Sequence, residues 1–335
     1  MTLFTNNFQK ITFSDFIVMY DLGPTQDQRG IGRVARSLLS ALKRREVPEL
    51  RSPLNKIPTI HFFPSIHWCP EILPSHSIVM VHDTTPLSLW QFFPDSLGEW
   101  LNEFFQIASQ ASRIVTISQS ARDEVANHLL IELDRISVIN NGITDLTAGF
   151  KSEDVAIPDI PYVTYVGASD PHKNIDIVLS ALARNTKRDI GIAVIGSACD
   201  DVTDRASIWD LDPSLVFPMG KLGDDALASI LRQSIALVMP SLYEGFGLPP
   251  FEAALAGTPS ICSNRPAHNE LLAGAALFVN PFLADAWLEA IRTLQNDRIQ
   301  AEALATKAST IARTLTWENA AEQLFTVFIE NVKDI

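Results

Sequence analysis

Twice along this chain, short apolar runs of strand length alternate with segments whose apolar residues recur at three- and four-residue spacing. That alternation calls for parallel strands joined by helical crossovers, so an α/β layer fold is expected and all-helical and all-β folds are excluded. In the first half, β-prone runs stand at Phe16 to Tyr20, Thr59 to Phe63, Ser77 to Val81, Ser112 to Ile117 and Arg135 to Ile139. The loop DLGPTQDQRG follows the first run, and a helix is predicted from near Gly32, with Val34, Leu38, Leu39 and Leu42 on one face and Arg33, Arg36, Lys43 and Arg44 mostly elsewhere. Further helices are predicted at Ser96 to Ser109 and Ser120 to Leu130.

A polar stretch from Gly149 to Pro161, broken by Pro158 and Pro161, reads as a linker. The alternation then restarts, with strands expected at Tyr162 to Gly167, Ile190 to Gly196, Leu215 to Met219, Ile235 to Met239, Pro259 to Cys262 and Ala276 to Val279. Helices are expected at Asn174 to Arg184, Asp224 to Gln233, Pro250 to Ala256 and Ala284 to Gln295, and two final helical patterns, Arg298 to Leu315 and Glu318 to Val332, have no strand between them. The expectation is two doubly wound α/β domains facing a cleft, residues 1–155 and 156–312, with a helical tail at 313–335. Ligands in such sheets bind at the carboxyl ends of the strands.

With 335 residues the chain is long enough for two cores, and 47% apolar against 19% charged residues fits a globular protein rather than a disordered one. No apolar run approaches the roughly 20 residues of a membrane span, and MTLFTNNFQK lacks signal-peptide character, so a cytoplasmic protein is expected. Cys69, Cys199 and Cys262, with no CxxC spacing, indicate neither a disulfide framework nor a zinc ribbon. The net charge of −13 disfavours nucleic-acid binding through phosphates. Arg29 to Lys56 nevertheless holds eight basic residues against Glu46 and Glu49, which is either a solvated helix face or an anion or membrane-surface contact.

The most informative segment is PSLYEGFGLPPFEAALAGTPSI, Pro240 to Ile261. A strand leads through Gly245 and Gly247 into a helix that starts with Pro249 and Pro250, where missing amide donors are tolerated, and such a turn presents N–H groups to an anion or a sugar hydroxyl. Glu244 precedes the turn and Glu252 falls in the first turn of the helix; each alone has an ordinary explanation as a loop acid or a helix-start acid.

Together, E-x7-E within EGFGLPxxE resembles the signature of the retaining glycosyltransferases of glycosyltransferase family 4, which have the GT-B fold. YVTYVGASDPHKNIDIVLSALA at 162–183, Gly220 to Gln233, GIGRVARSLLSAL, VHDTTPL, TISQSARDEV, VINNGI and TWENAAEQLF resemble the family's other blocks in order and spacing. The resemblance implies that Glu252 holds the ribose hydroxyls and that Glu244 binds donor-sugar hydroxyls. Backbone amides at Phe246, Gly247 and Leu248 would support the sugar and β-phosphate, and Lys173 would neutralise the diphosphate leaving group. His82, beside Asp83, would reach the donor sugar. Gly30, Gly32 and Arg33 would approach the donor phosphates, and Gly167, His172 and Leu222 would complete the nucleotide-sugar site. The final helix would cross back onto the first domain.

Two positions depart from the pattern: Ala168 stands where many members have arginine, and His172 replaces the arginine of a P-R-K-N loop. Among weaker signals, GIGRVA fits a dinucleotide fingerprint but lies about ten residues from its strand with no acid after a second one. Asp210-Leu211-Asp212 matches DxD but is better explained as a helix-end loop, and His61, His67, Cys69 and His76 have no zinc-site spacing.

The resemblance thus implies a retaining, metal-independent hexosyltransferase without a cofactor. It would take a nucleotide-diphosphate sugar, GDP-mannose by choice, as donor. The acceptor would be a glycan or lipid-linked glycan in polysaccharide biosynthesis, with peripheral contact at the inner face of the cell membrane. An inactive GT-B binding subunit and a GT-B nucleotide-sugar epimerase are the alternatives.

Overall fold

The computed structural model describes residues 7–28, 30–47, 57–94, 97–149 and 156–333. The chain divides into two compact units, residues 1–142 with 315–335, and residues 143–314.

The first unit is built on a six-stranded sheet of β1 (Phe8–Thr12), β2 (Ile17–Asp21), β3 (Thr59–Phe63), β4 (Ser77–Met80), β5 (Arg113–Thr116) and β6 (Ile136–Val138), lying side by side in chain order. β2 to β6 are parallel, whereas β1 pairs antiparallel with β2. β1 was not anticipated, because FQKIT is polar at an edge and buries only Ile11. β4 is buried at all four positions, as a parallel strand covered on both faces must be.

Helix α1 (Gly30–Lys43) starts two residues earlier than the pattern suggests and buries Val34, Ala35, Leu38, Ala41 and Leu42 along one stripe. A Cβ on Gly32 would stand 1.8 Å from the Asp27 carbonyl oxygen. The preceding loop therefore packs against the helix backbone, and Arg36 fastens it by donating to Thr25 O (2.6 Å) and Asp27 O (2.8 Å). Gly32 is thus required by the chain's own loop, while Gly30 has open space.

Helices α2 (Thr85–Ser88), α3 (Leu97–Gln110) and α4 (Gln119–Leu129) follow in this unit, and the last helix of the chain, α12 (Trp317–Lys333), also belongs to it and packs on α1. Its Phe328 meets Phe62 and Phe16 with ring centroids 5.5 and 6.5 Å apart, and Phe325 lies 5.0 Å from Phe13. Arg44 pairs with Glu318 and Arg45 with Glu322, and the Arg45 guanidinium sits 4.7 Å over the Phe325 ring. The basic run is thus not simply a solvated face. Arg36 fastens the loop before α1, Arg44 and Arg45 make exposed ion pairs with α12, and Arg29, Arg51 and Lys56 lie outside the described residues.

The second unit carries the parallel strands β7 (Tyr162–Val166), β8 (Gly191–Ile195), β9 (Val216–Gly220), β10 (Leu237–Met239), β11 (Ser260–Ser263) and β12 (Leu277–Val279) in the order β12-β11-β10-β7-β8-β9. This is the doubly wound order, with its reversal between β7 and β10. The helices are α5 (Ile175–Ala183), α6 (Val202–Ile208), α7 (Asp224–Gln233), α8 (Pro249–Leu255), α9 (Pro266–Leu271), α10 (Ala284–Asn296) and α11 (Arg298–Thr314). The short helices α6 and α9 have too few turns to show a period. Asp210 to Asp212 form the loop after α6, where the Asp212 carboxylate accepts the Ser214 amide at 3.0 Å.

The junction of α12 with the first sheet is tested at Gly142, where a Cβ would stand 2.4 Å from the Trp317 backbone nitrogen and 2.5 Å from its ring. Gly142→Ala should therefore destabilise by about 1–3 kcal/mol or more. Gly98→Ala, in a helix with open space, should be neutral or mildly stabilising. Thermal melting of the two variants checks the contrast.

Candidate functional site

In a doubly wound sheet, the strands at the point of reversal send their following loops to opposite sides and leave a crevice at their carboxyl ends. Here those strands are β7 and β10, and their loops carry residues 167–174 and 240–248. The loops are tied together. Leu242 N donates to His172 O at 2.7 Å, and Asn174 donates from Nδ2 to Pro240 O (3.0 Å) and Pro281 O (2.9 Å). Asn174 caps α5 in the left-handed region at φ 55°, which asparagine tolerates better than most residues. From behind, Tyr165 donates its hydroxyl to Ala168 O (2.7 Å), and Arg205, paired with Asp176 at 3.1 Å, donates to Ser169 O (3.0 Å).

This framework sets Lys173 Nζ 2.7 Å from Glu244 Oε1, and the Ser241 hydroxyl donates to the same oxygen at 2.7 Å. Burial by itself would raise the Glu244 carboxyl above its usual range. The Lys173 ammonium, nearby His268, and the hydrogen bonds from Lys173 and Ser241 outweigh it, and the group lies below that range. An ion pair so withdrawn from water stands only while both partners are present.

The turn after Glu244 passes through Gly247 at φ 84°, a left-handed conformation that makes glycine the favoured residue. Beneath it, a Cβ would meet the Met239 side chain at 3.3 Å and His268 Nε2 at 3.4 Å. Phe246 is committed to the core, 5.7 Å from Phe251, so only its backbone is left to face a ligand. Glu252, 4% exposed, follows in the first turn of α8. At seven residues α8 is too short for its dipole to dominate, so the turn amides matter more than the sequence suggests. Gly167 closes β7, donating to Ile195 O at 2.9 Å, and Leu222 is half-buried before α7.

His82, Gly30, Gly32 and Arg33 belong to the first unit. His82 follows β4, is buried, and has Nε2 2.8 Å from Pro64 O. Nε2–H is therefore the donor, Nδ1 is the acceptor, and burial holds the ring neutral by lowering its affinity for a proton. Asp83 accepts the Thr85 amide at 2.9 Å.

Two buried ionisable residues escape sequence patterning. His268 lies on α9 with Nδ1 2.9 Å from Ser263 O, while its Nε2 has no hydrogen-bond partner. Nothing in PAHNEL marks it. Asp21 ends β2, accepts the Gly23 amide through Oδ1 at 3.0 Å, leaves Oδ2 buried without a partner, and is pushed up to about 6, chiefly by burial. An acid ending an apolar strand was the signal available there.

The family model described as Glycosyltransferase Family 4 matches residues 57–145, and Glycosyl transferases group 1 matches residues 150–310. The chain belongs to glycosyltransferase family 4. It is 29% identical over 221 residues to the O-antigen chain mannosyltransferase RfbU of Salmonella typhimurium, covering 65% of this chain and 60% of that protein. With O-antigen chain mannosyltransferase B of Escherichia coli it shares 25% identity over 280 residues, 75% of this chain and 70% of the other. Its fold matches the crystal structure of Anabaena HepE in complex with UDP-glucose at a TM-score of 0.67 and 17% identity, covering 88% and 89% of the two chains. As a family 4 chain it has the GT-B fold, with two Rossmann-like parallel-sheet domains. Among the described residues no helix is long and apolar enough to cross a membrane.

The raised Asp21 carboxyl favours its protonated form in the folded state, so its stabilising effect is complete below pH 3.8 and lost as pH rises through about 6. Asp21→Asn keeps the Oδ1 acceptor and should raise the melting temperature at pH 7, with the gain vanishing below pH 4, as melts across that range will show.

Proposed function

We propose that this family 4 chain is a retaining, metal-independent hexosyltransferase that transfers a mannosyl group from GDP-mannose to a hydroxyl of a glycan or lipid-linked glycan during polysaccharide biosynthesis. The observation that carries the reading is the Lys173–Glu244 pair at the strand reversal, beside the glycine turn that leads to Glu252. The mannosyltransferase relatives support the choice of sugar.

A nucleoside diphosphate supplies anionic oxygens that compete with Glu244 for the Lys173 ammonium. As the anomeric C–O bond breaks, negative charge grows on the departing β-phosphate and positive charge on the sugar ring. Lys173 and the amides of Phe246, Gly247 and Leu248 answer the first; Glu244, released from its lysine, answers the second and accepts sugar hydroxyls. Glu252 accepts the ribose hydroxyls. The acceptor oxygen attacks from the face the phosphate leaves, and its proton passes to that phosphate, so configuration is retained.

The donor is tested first with GDP, UDP, ADP and TDP in thermal shift, with and without magnesium; a ligand at 100 times its dissociation constant adds about 2.7 kcal/mol. Stabilisation by GDP without magnesium supports the reading, and none by any of the four counts against it. Lys173→Ala should weaken nucleoside diphosphate binding while leaving nucleoside affinity nearly unchanged, because its partner is phosphate. Glu252→Ala should cost about 1.5–3 kcal/mol of nucleotide affinity, whereas Glu244→Ala mainly lowers turnover. Calorimetry with GDP and guanosine separates these assignments. Donor hydrolysis separates an enzyme from a binding subunit that merely retains the fold.

A further inference from the structure

Glu244 receives both of its side-chain hydrogen-bond donors, Lys173 Nζ and Ser241 Oγ, on one oxygen, Oε1, each at 2.7 Å. The two donors differ in mobility. Lys173 ends a long flexible side chain on the loop after β7, whereas Ser241 is 1% exposed, three residues before Glu244 on the loop after β10. Ser241 is itself fixed: its carbonyl accepts the hydroxyl of Ser263, a fully buried residue at the end of neighbouring β11. Ser263 lies within 3.3 Å of His268 Nδ1, whose ring supports the glycine turn from beneath.

We infer that Ser241 is a positioning residue for Glu244, holding Oε1 in place when Lys173 turns to the donor diphosphate, so that Oε2 meets a hydroxyl of the transferred sugar. This rests on the proposed glycosyl-transfer reading of the site. Without Ser241, loss of the lysine would leave a buried carboxylate with no side-chain donor and no fixed rotamer, at the moment its orientation matters. The other groups acting electrostatically at this carboxylate are Lys173 and His268, and Tyr165 and Cys262 feel its charge in turn.

The test is Ser241→Ala beside Ser241→Thr, which restores the hydroxyl. Each is measured by calorimetry with GDP and GDP-mannose, or with UDP and UDP-glucose if wild type binds that pair, and by donor hydrolysis against pH. Ser241→Ala should bind the nucleoside diphosphate within about twofold of wild type and lose about tenfold or more in kcat, the worth of a hydrogen bond to a charged group. Removing a donor to the charged form raises the carboxyl's affinity for a proton, so the acid limb of the kcat profile should move to higher pH. Ser241→Thr should recover both. Unchanged kcat and acid limb in Ser241→Ala, or equal losses of diphosphate affinity and turnover that threonine does not rescue, overturn the assignment to Ser241 alone. A wild type that binds neither pair overturns the underlying reading, and the assignment with it.

Discussion

A lysine and a glutamate 71 residues apart in sequence share one ion pair at the point where the second sheet reverses its strand order, and the arrangement around them depends on that pair. Burial opposes the Glu244 charge, and the Lys173 ammonium offsets it first, helped by His268 and the Ser241 hydroxyl. The pair therefore also joins two loops. The Asn174 amide and the Leu242 N–H bond the same loops through backbone carbonyls, so the contact is made between two segments already held at fixed separation. The glycine turn inherits its position from this, because Glu244 opens it and His268 and Met239 fill the space below.

The first unit solves a different problem. Its helix α12 comes from the far end of the chain, so its attachment carries the entropy of closing a long loop. Aromatic packing of Phe325 and Phe328 on Phe13, Phe16 and Phe62 supplies the apolar contact. Arg44 and Arg45 add ion pairs at its rim, which are exposed and contribute little each. Arg45 does more by lying over Phe325, where its stem and guanidinium cover the ring.

Periodicity made most of the fold legible. Every apolar run expected as a strand forms one, within a residue or two at its ends, because parallel strands buried on both faces have no other composition open to them. β1, α6 and α9 were invisible for the converse reason: an exposed edge strand and helices of six or seven residues carry too short a pattern. At the site, the glycine turn could be picked out from its residues, while Lys173 and the two glutamates were singled out by the family resemblance. Their pairing could not, because Lys173 and Glu244 meet only once β7 and β10 are neighbours. His268 and Asp21 were hidden by the same rule, each being significant through burial and an unpartnered atom rather than through any motif.

Ala168 and His172, the two departures from the family pattern, bear on how strongly the site can hold phosphate. Arg205 reaches that loop from helix α6, but it is committed to Asp176 and to the Ser169 carbonyl, with Asp201 at 3.8 Å, so it shapes the Lys173 loop rather than offering a free guanidinium. Under the proposed function, Lys173 is a cation that meets the diphosphate, and it is already paired with Glu244. Phosphate binding and release of Glu244 become one event: the energy of the incoming anion is spent in part on breaking an existing pair, and the carboxylate it frees is the group assigned to the sugar. A chain with a second arginine could bind diphosphate without disturbing its glutamate. Under the proposed function, the alanine and histidine at those two positions couple donor capture to release of Glu244, which makes the hydroxyl that still holds that carboxylate correspondingly more important.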